Sequence, residues 1–209
     1  MKVIVFGATG SVGQLAVQAM LDEGHEVTAF ARSPQALNLT SERLHLRSGN
    51  ALEAQEVSDA IQGHDAVVVT LGAGKARNSD IRSRGTMNVI LGMQTHGVRR
   101  LICQSTLGAH ESWANLNFFW KRIMFGALLR PVFLDHELQE NLVRASGLEW
   151  TIVRPSAFTD GPAGGGFQEN VPATARSLRL KISRADVAAF LTGQLLDRTY
   201  RHQAVGIST

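Results

Sequence analysis

The chain begins Met1-Lys-Val-Ile-Val-Phe-Gly7-Ala-Thr-Gly10-Ser-Val-Gly13, an apolar β-type run that leads into three glycines at three-residue spacing. The next segment, Gln14 to Leu21, is apolar and helix-like. In a strand–turn–helix of this kind, backbone N–H groups at the helix N-terminus can bind a pyrophosphate. Gly7 suits the tight turn, Gly10 leaves room for the phosphate, and Gly13 lets the helix pack closely on the strand. The alternative is a glycine-rich turn without a ligand. The expected contacts are Gly7, Thr9, Gly10, Ser11, Val12 and Gly13.

Composition limits the class of protein. The 209 residues are 44% hydrophobic and 19% charged, which is typical of a globular protein with one core. A net charge of only +3, with no basic run or zinc-finger spacing, argues against nucleic-acid binding, and no residue pattern indicates a metal site. No apolar stretch reaches the roughly 20 residues of a membrane span. The single cysteine, Cys103, and the lack of a signal peptide predict a cytoplasmic protein.

Strand and helix patterns alternate along the chain, and several strands are continuously apolar, as when helices cover both faces of a sheet. The pattern predicts one α/β domain over residues 1–209, a Rossmann-like, doubly wound parallel sheet with helices on both faces. The predicted strands are Lys2–Phe6, Glu26–Ala31, Leu44–Arg47, Ala66–Leu71, Arg100–Ser105, Trp150–Val153 and Ala204–Ile207. The predicted helices are Val12–Glu23, Leu52–Ile61, Asp80–Thr95, Asp135–Ala145 and Arg184–Leu196.

The end of the second strand bears on the choice of nucleotide. An acidic residue at this place binds the ribose 2′-OH of NAD, but the chain reads Thr28-Ala-Phe-Ala-Arg32-Ser33. The guanidinium of Arg32 can bind a 2′-phosphate that a carboxylate would repel, and Ser33 can add a hydrogen bond. We therefore expect NADP(H) in preference to NAD(H). The alternative is that Arg32 is a solvated loop residue.

Later segments at the same edge of the sheet extend the predicted cofactor site. Asn50 and Ala51 follow the third strand, where the Asn50 amide can hydrogen-bond an adenine edge or simply form a turn. Thr70, Leu71 and Gly72 follow the fourth strand, in a run of small residues that permits close backbone approach to a ribose. We expect all five residues to contact the cofactor.

Six segments resemble those of the atypical short-chain dehydrogenase/reductases. Within these, the chain is similar to the NmrA-like NAD(P)-binding group, and most similar to the flavin reductase/biliverdin-IXβ reductase proteins. The resemblance covers nearly the whole chain except about residues 110–134, and it implies a Rossmann-like domain that binds NADP(H). The segments are Gly7-Ala-Thr-Gly10-Ser-Val-Gly13, Phe30-Ala-Arg32-Ser33, Arg84-Gly85-Thr86-Met-Asn88, Ser105-Thr-Leu-Gly108-Ala, Ser146-Gly-Leu-Glu-Trp-Thr-Ile-Val-Arg154-Pro155 and Ile182-Ser-Arg-Ala-Asp186-Val-Ala.

The resemblance also implies where the nicotinamide lies. The segment that begins at Pro155 passes the nicotinamide amide in the resembled family. Backbone groups of Ser156 and Ala157 are then expected to bind the carboxamide, and Phe158 to form a wall of the pocket. Arg154, just before them, is interpreted as an anchor for this loop.

The resemblance further implies that the Tyr/Lys dyad of ordinary short-chain dehydrogenases falls on Val132 and His136, so the dyad is missing. The chain's only tyrosine, Tyr200, lies near the C-terminus. This disfavours dyad-dependent carbonyl reduction and epimerase or dehydratase chemistry. It favours hydride transfer from NADPH to a conjugated acceptor, as in the flavin/biliverdin reductase type.

Three polar residues are candidates for a catalytic role. Ser105 and Thr106 end the fifth strand at the expected ligand crevice, where a hydroxyl can orient the nicotinamide or donate to an acceptor. A strand-end cap is the alternative. His136 begins a predicted helix, where it can bind a ribose hydroxyl, deliver a proton near pH 7, or simply lie on the surface.

The stretch of residues 110–134 stands out by its aromatic content, and residues 113–133 are called the aromatic segment below. Its rings suit stacking on a flat acceptor such as a flavin or quinone. They equally suit a packed lid, a membrane surface, a protein partner or a homodimer contact. The leading hypothesis is an NADPH-dependent reductase of such a small molecule. The rival is a non-catalytic NADP(H)-sensing regulatory protein, which the missing tyrosine supports. The rings belong to Trp113, Phe118, Phe119, Trp120, Phe125 and Phe133.

Overall fold

The computed structural model describes residues 1–74, 79–175 and 178–209. Within them, seven parallel strands form the main sheet, and two short strands pair separately. The strands are β1 (Lys2–Phe6), β2 (Glu26–Ala31), β3 (Leu44–Ser48), β4 (Ala66–Val69), β5 (Arg100–Gln104), β6 (Glu149–Pro155), β7 (Ala157–Thr159), β8 (Lys181–Ser183) and β9 (Gln203–Ile207). The main sheet runs β3-β2-β1-β4-β5-β6-β9, and β7 pairs with β8.

Five α-helices cover both faces of the main sheet within the described residues. Alternate residues of β1 supply the two cores, because successive side chains of a strand point to opposite faces. Val3 and Val5 pack on the face that carries α1 and α5, whereas Ile4 and Phe6 pack on the face of α2, α3 and α4. The helices are α1 (Gly13–Asp22), α2 (Ala54–Ile61), α3 (Ile81–His96), α4 (Arg130–Ala145) and α5 (Arg184–Gly193). The predicted doubly wound parallel sheet is confirmed.

The order of the strands positions the site. From β1 the chain moves outward to β2 and β3, and then crosses back to β4 on the other side of β1. Loops at the carboxyl ends of β1 and β4 therefore diverge and leave a crevice at this edge. Ligands of open α/β sheets bind in such a crevice.

Several predicted boundaries were wrong for local reasons. α4 begins at Arg130 rather than Asp135, because Pro131 occupies its first turn, where a missing N–H costs no hydrogen bond. β6 is longer than predicted at both ends, and α5 ends at Gly193 rather than Leu196. The short β7 and β8 were not predicted. The other strands and helices agree within two residues.

Residues 110–128 contain no regular α-helix or strand. They form a 3-10 helix, His110–Asn115, followed by a π-helix, Phe119–Leu128. Leu116, Phe125 and Phe133 make a small core of their own, separate from the two cores of the sheet. This core holds the aromatic segment over the carboxyl edge. Across the described residues, we find no helix with the length and apolarity that crossing a bilayer requires.

Candidate functional site

A cavity of about 870 Å³ opens at the carboxyl edge of the sheet. It extends from the glycine turn after β1, past the loops after β2, β4, β5 and β6, to the aromatic segment. All but two of the residues predicted for the site line it. Those that do are Gly7, Thr9, Gly10, Ser11, Val12, Arg32, Asn50, Ala51, Thr70, Leu71, Gly72, Ser105, Thr106, His136, Pro155, Ser156, Ala157 and Phe158.

Gly13 and Ser33 are the two that do not line the cavity. Gly13 is the first residue of α1 and packs against the glycine turn from below: a Cβ there would collide with the Gly7 carbonyl oxygen. Ser33 is exposed and precedes the 3-10 helix Pro34–Ala36. Gly13 therefore shapes the turn rather than the cavity surface, and Ser33 lies beside the cavity.

The glycine turn is shaped by close contacts between backbone groups. Gly7 has a φ of +86°, and a Cβ on it would lie 2.7 Å from the Thr70 carbonyl oxygen, so the chain requires glycine here. A Cβ on Gly10, which lines the cavity, would lie 3.1 Å from the Gly7 carbonyl oxygen. Val12, at the N-cap of α1, makes no side-chain capping hydrogen bond. The turn thus fits a pyrophosphate at an uncapped helix N-terminus.

Arg32 and Asn50 lie at the far end of this part of the cavity. The side chain of Arg32 is exposed directly after β2, and the residue lines the cavity. Asn50 forms a turn: its Oδ1 accepts a hydrogen bond from the Leu52 N–H at 3.1 Å, and its own N–H donates to Glu56 at 2.7 Å. This is the turn alternative that the sequence left open, and it leaves only the side-chain NH₂ for a ligand.

Ser105 donates its hydroxyl hydrogen away from the cavity. Its Oγ donates to Glu140 Oε1 at 2.6 Å, and the Glu140 side chain is fully buried. Arg154 holds the same carboxylate, from Nε to Oε1 at 2.8 Å and from Nη2 to Oε2 at 2.6 Å. Ser105 therefore presents lone pairs to a ligand and can orient one, whereas its proton belongs to Glu140.

Arg154 lies between two carboxylates. Besides Glu140 it donates to Glu111, with Nη1–Oε1 at 2.8 Å. Burial works against the charge of Arg154, but its hydrogen bonds with Glu140 and Glu111 raise its pKa above the usual value. Burial likewise works against the Glu111 carboxylate, but hydrogen bonding to Arg154 lowers its pKa to about 2. The predicted anchoring role of Arg154 thus corresponds to an ion-pair cluster that joins β6, α4 and the segment after β5.

His136 is a buried, neutral imidazole that borders the cavity. It lies in the second turn of α4 and is only 7% exposed, so the surface alternative was wrong. Burial and the nearby charge of Arg82 lower its pKa to about 3. The expectation that it delivers a proton near pH 7 is corrected, because at that pH the ring carries no dissociable extra proton.

The hydrogen bonds of His136 indicate its tautomer. Gln139 donates from Nε2 to Thr86 Oγ1 at 2.9 Å, so its Oε1 is left to accept from His136 Nδ1 at 3.3 Å. This assigns the hydrogen to Nδ1 and leaves Nε2 as an acceptor. His136 can therefore accept a hydrogen bond from a hydroxyl group, such as that of a ribose.

The wall opposite the glycine turn is apolar and comes from the aromatic segment. Trp120 and Phe125 line the cavity with their ring centroids 5.4 Å apart. The ring centroid of Phe133 lies 4.9 Å from that of Phe125 and 5.2 Å from that of Trp113. Phe133 and Trp113 therefore support the wall from behind. A flat conjugated molecule suits such a wall.

Sequence reasoning missed three polar residues of the site, Arg82, Gln104 and Glu140. Arg82 and Gln104 line the cavity, and Glu140 lies beneath it. Gln104 ends β5 directly before Ser105, so its position in the chain carried a signal. Arg82 and Glu140 are ordinary helix positions in the sequence, and only the packing of α3 and α4 brings them to the site. In the parts of the chain that the structure describes, no group of three or more His, Cys, Asp or Glu side chains is placed to hold a metal ion.

Known proteins share this fold and sequence pattern. A Bacillus subtilis protein named uncharacterized sugar epimerase YhfK is 28% identical over 218 positions, which cover 100% of this chain and 94% of that protein. The structure of ChuY, described as an anaerobillin reductase from Escherichia coli, has a TM-score of 0.82 at 24% identity and covers 100% of this chain and 97% of its own. A wide-type short-chain dehydrogenase/reductase from Veillonella parvula, solved in complex with NADP, also has a TM-score of 0.82, at 18% identity, with coverage of 100% and 94%.

The family assignment follows from a sequence match that includes both ends of the cavity. The pattern of the NAD(P)H-binding family matches residues 7–198, from the glycine turn to the residues just after α5. This match supports binding of a nicotinamide dinucleotide. The chain belongs to the NAD(P)H-binding family.

Proposed function

We propose that this protein is an NADPH-dependent reductase that transfers hydride to a flat conjugated acceptor of the flavin or quinone type. One observation carries the proposal: a single cavity joins the glycine turn to the aromatic wall of Trp120 and Phe125. A nicotinamide and a flat ring can therefore lie against each other in one cavity. Catalysis would rest mainly on this proximity.

The residues at the cofactor end favour NADPH. The amides of the glycine turn would hold the pyrophosphate, and Arg32 the 2′-phosphate. Lone pairs of Ser105 and His136 Nε2 would accept hydrogen bonds from cofactor amide or hydroxyl groups. When bound, NADPH supplies a hydride from its nicotinamide C4.

The chemistry needs no strong acid from the protein. The acceptor takes the hydride from NADPH, which becomes NADP⁺, and takes one proton from water. Ser105 donates to Glu140, His136 is neutral, and Tyr200 is absent from the cavity lining among the described residues. Flavins and quinones suit such a site because their reduced forms bind a solvent proton readily.

The names of similar proteins support different chemistries. ChuY, described as an anaerobillin reductase, shares the fold, and the sequence resemblance to flavin/biliverdin-IXβ reductases points the same way. YhfK is named a sugar epimerase. We favour the reductase, because Val132 and His136 occupy the positions implied for a Tyr/Lys dyad.

We further propose that residues 110–134 act as a lid within a single domain. Only some of their aromatic side chains face the cavity. Phe118 and Phe119 are 74% and 49% exposed. They leave an apolar surface that a homodimer contact or protein partner would cover.

We also propose that the protein works in the cytoplasm.

The test is an anaerobic screen of NADPH oxidation with FMN, riboflavin, a simple naphthoquinone and biliverdin as acceptors. Turnover with at least one acceptor is the expected result. Gly10→Val should abolish it, because the added side chain lies where the pyrophosphate binds. Gly193→Val is the matched control, because nothing lies within 4 Å of a Cβ at that glycine. If NADPH binds tightly but no acceptor is turned over, the result would contradict the proposal. It would support the non-catalytic NADP(H)-sensing protein instead.

A further inference from the structure

The distribution of charge in the cavity is uneven. Among the described residues that line it, the only ones with a formal charge are Arg32 and Arg82, and none is acidic. Arg32 lies at the cofactor end, after β2. Arg82 lies in the first turn of α3, beside His136, whose pKa its charge helps to lower. The cavity therefore holds a second cation, beside His136 and apart from the residue predicted to bind the 2′-phosphate.

Arg82 is held in place without using all its donors. The Asp135 carboxylate accepts the backbone N–H groups of Arg82 at 3.1 Å and of Ser83 at 3.0 Å. The Arg82 Nη1 atom lies 3.6 Å from Asp135 Oδ2, which is beyond hydrogen-bond distance. Asp135 thus caps α3 and forms an ion pair with the guanidinium, but no side-chain hydrogen bond joins the two groups at this distance.

The Arg82 side chain is 13% exposed, and its Nη1 has no hydrogen-bond partner among the described residues. Two other buried atoms of cavity-lining residues also have no hydrogen-bond partner among the described residues: Gln104 Oε1 and Ser156 Oγ. Burying polar groups without partners is unfavourable, and most so for a charged group. All three atoms belong to residues that line the cavity, so unsatisfied polar groups lie next to the space that a ligand would fill.

We propose that Arg82 binds an anionic group, a carboxylate or phosphate, carried by the acceptor. This inference rests on the proposed function and narrows it to anionic conjugated acceptors. The anionic groups of NADPH already have partners, since the glycine turn serves the pyrophosphate and Arg32 the 2′-phosphate. Arg82 is the remaining cation of the described lining, and it forms an ion pair with Asp135 at 3.6 Å. Because no acidic residue lines the cavity among the described residues, the Asp135 carboxylate is the group that a bound anion would have to outcompete.

The test compares two pairs of ligands that differ in one anionic group. FMN and riboflavin share a ring system, but only FMN carries a phosphate. 2-Naphthoate and 2-naphthamide differ in a carboxylate. Dissociation constants are measured by calorimetry on NADP⁺-saturated protein, so no turnover is needed. The parent should prefer the anion in at least one pair, by roughly tenfold to a hundredfold, the range expected for a charged hydrogen bond.

In Arg82→Met, the ratio of the dissociation constants of the neutral and anionic ligands should come close to one. The dissociation constant of NADPH should stay within about twofold of the parent's value. Arg82→Lys, which retains the charge, should keep part of the preference. Arg84→Met is the matched control, since Arg84 is exposed on the same helix and pairs with Asp80, and it should behave as the parent. Thermal melts establish that each variant folds.

Two results would overturn the inference. One is a parent that prefers the anion in neither pair, which includes a parent that binds none of the four ligands. The other is an Arg82→Met variant that loses NADPH affinity while its preference persists, because the anion would then belong to the cofactor. Neither result bears on the reductase proposal, which the turnover screen tests separately. Conversely, an Arg82-dependent preference without turnover would support the anion site and contradict the reductase.

Discussion

The two ends of the cavity are built in different ways. At the cofactor end, the glycine turn is a continuous stretch of chain, shaped by backbone contacts of Gly7 with the carbonyl of Thr70. At the acceptor end, the groups come from β5, α3, α4, β6 and the aromatic segment, and side-chain bonds hold them together. The Ser105–Glu140–Arg154 chain joins three of these elements. The cofactor end therefore depends on close backbone contacts, whereas the acceptor end depends on a few buried side chains.

The largest expected effect comes from breaking the buried cluster. Arg154→Met would leave the fully buried Glu140 carboxylate without its main partner, since Arg144 lies 3.6 Å away. We expect the free energy of unfolding in urea to fall by about 3–5 kcal/mol. Arg184→Met is the control, because Arg184 pairs with the exposed Asp160 and should cost at most about 1 kcal/mol. A loss for Arg154→Met no larger than that of the control would mean that the cluster does not hold the acceptor end.

At the cofactor end, the next largest effect is expected for Arg32→Ala. It should weaken NADPH binding by about 1.5–3 kcal/mol, the worth of a charged hydrogen bond to the 2′-phosphate, and leave NADH binding unchanged. Calorimetry with both nucleotides measures this. Arg43→Ala, an exposed arginine just before β3, at the opposite edge of the sheet, should alter neither affinity. Equal affinities of the parent for NADPH and NADH would remove the basis for the preference.

His136 gives the free energy of unfolding a pH dependence. Its pKa is about 3 in the folded protein, against about 6.5 when unfolded, so between these values the unfolded chain binds more protons. Stability should therefore fall as the pH is lowered from about 6.5 towards 3, by up to about 1.4 kcal/mol per pH unit from this group. His136→Gln should remove this contribution in urea titrations between pH 6.5 and 4.5. His45→Gln, on the exposed side of β3, is the control. Parallel stability curves for His136→Gln and the parent would contradict the assignment of a neutral imidazole.

A smaller effect is expected at the aromatic wall. Trp120→Leu removes a ring from the acceptor side, which should raise the KM for a flat acceptor by roughly twofold to tenfold, or about 0.5–1.5 kcal/mol. NADPH affinity should stay the same, because the cofactor end does not include this ring. Trp113→Leu, which packs on Phe133 behind the wall, is the matched control. A change in NADPH affinity rather than in the KM of the acceptor would show that the two ends are not separate.

The smallest effect is expected for Tyr200→Phe. The hydroxyl of Tyr200 donates to Glu169 at 3.1 Å, and the ring packs near Phe190 on the α5 side of the sheet. The substitution should leave NADPH oxidation unchanged and stability within about 0.5 kcal/mol. A loss of acceptor reduction in a folded Tyr200→Phe protein would mean that the site has been placed at the wrong residues.

Prediction from the sequence succeeded where the signal was local. The spacing of Gly7, Gly10 and Gly13 after an apolar run predicted the strand, turn and helix that the structure contains. Arg32 could be placed at the same cavity as the glycine turn because the end of β2 has a fixed relation to that turn. The start of α4 was missed although Pro131 signals it, because the aromatic stretch before Asp135 has no clear period.

The sequence by itself determined the alternation of strands and helices, the parallel sheet and the glycine turn, because each depends on residues close together in the chain. Only the tertiary structure decided that Glu140 is buried under Ser105, that His136 is neutral, and that Arg82 borders the cavity. In the sequence, nothing distinguishes Glu140, His136 and Arg82 from polar helix residues that face solvent. Their burial and charge depend on which element packs against them, and that contact joins residues dozens of positions apart.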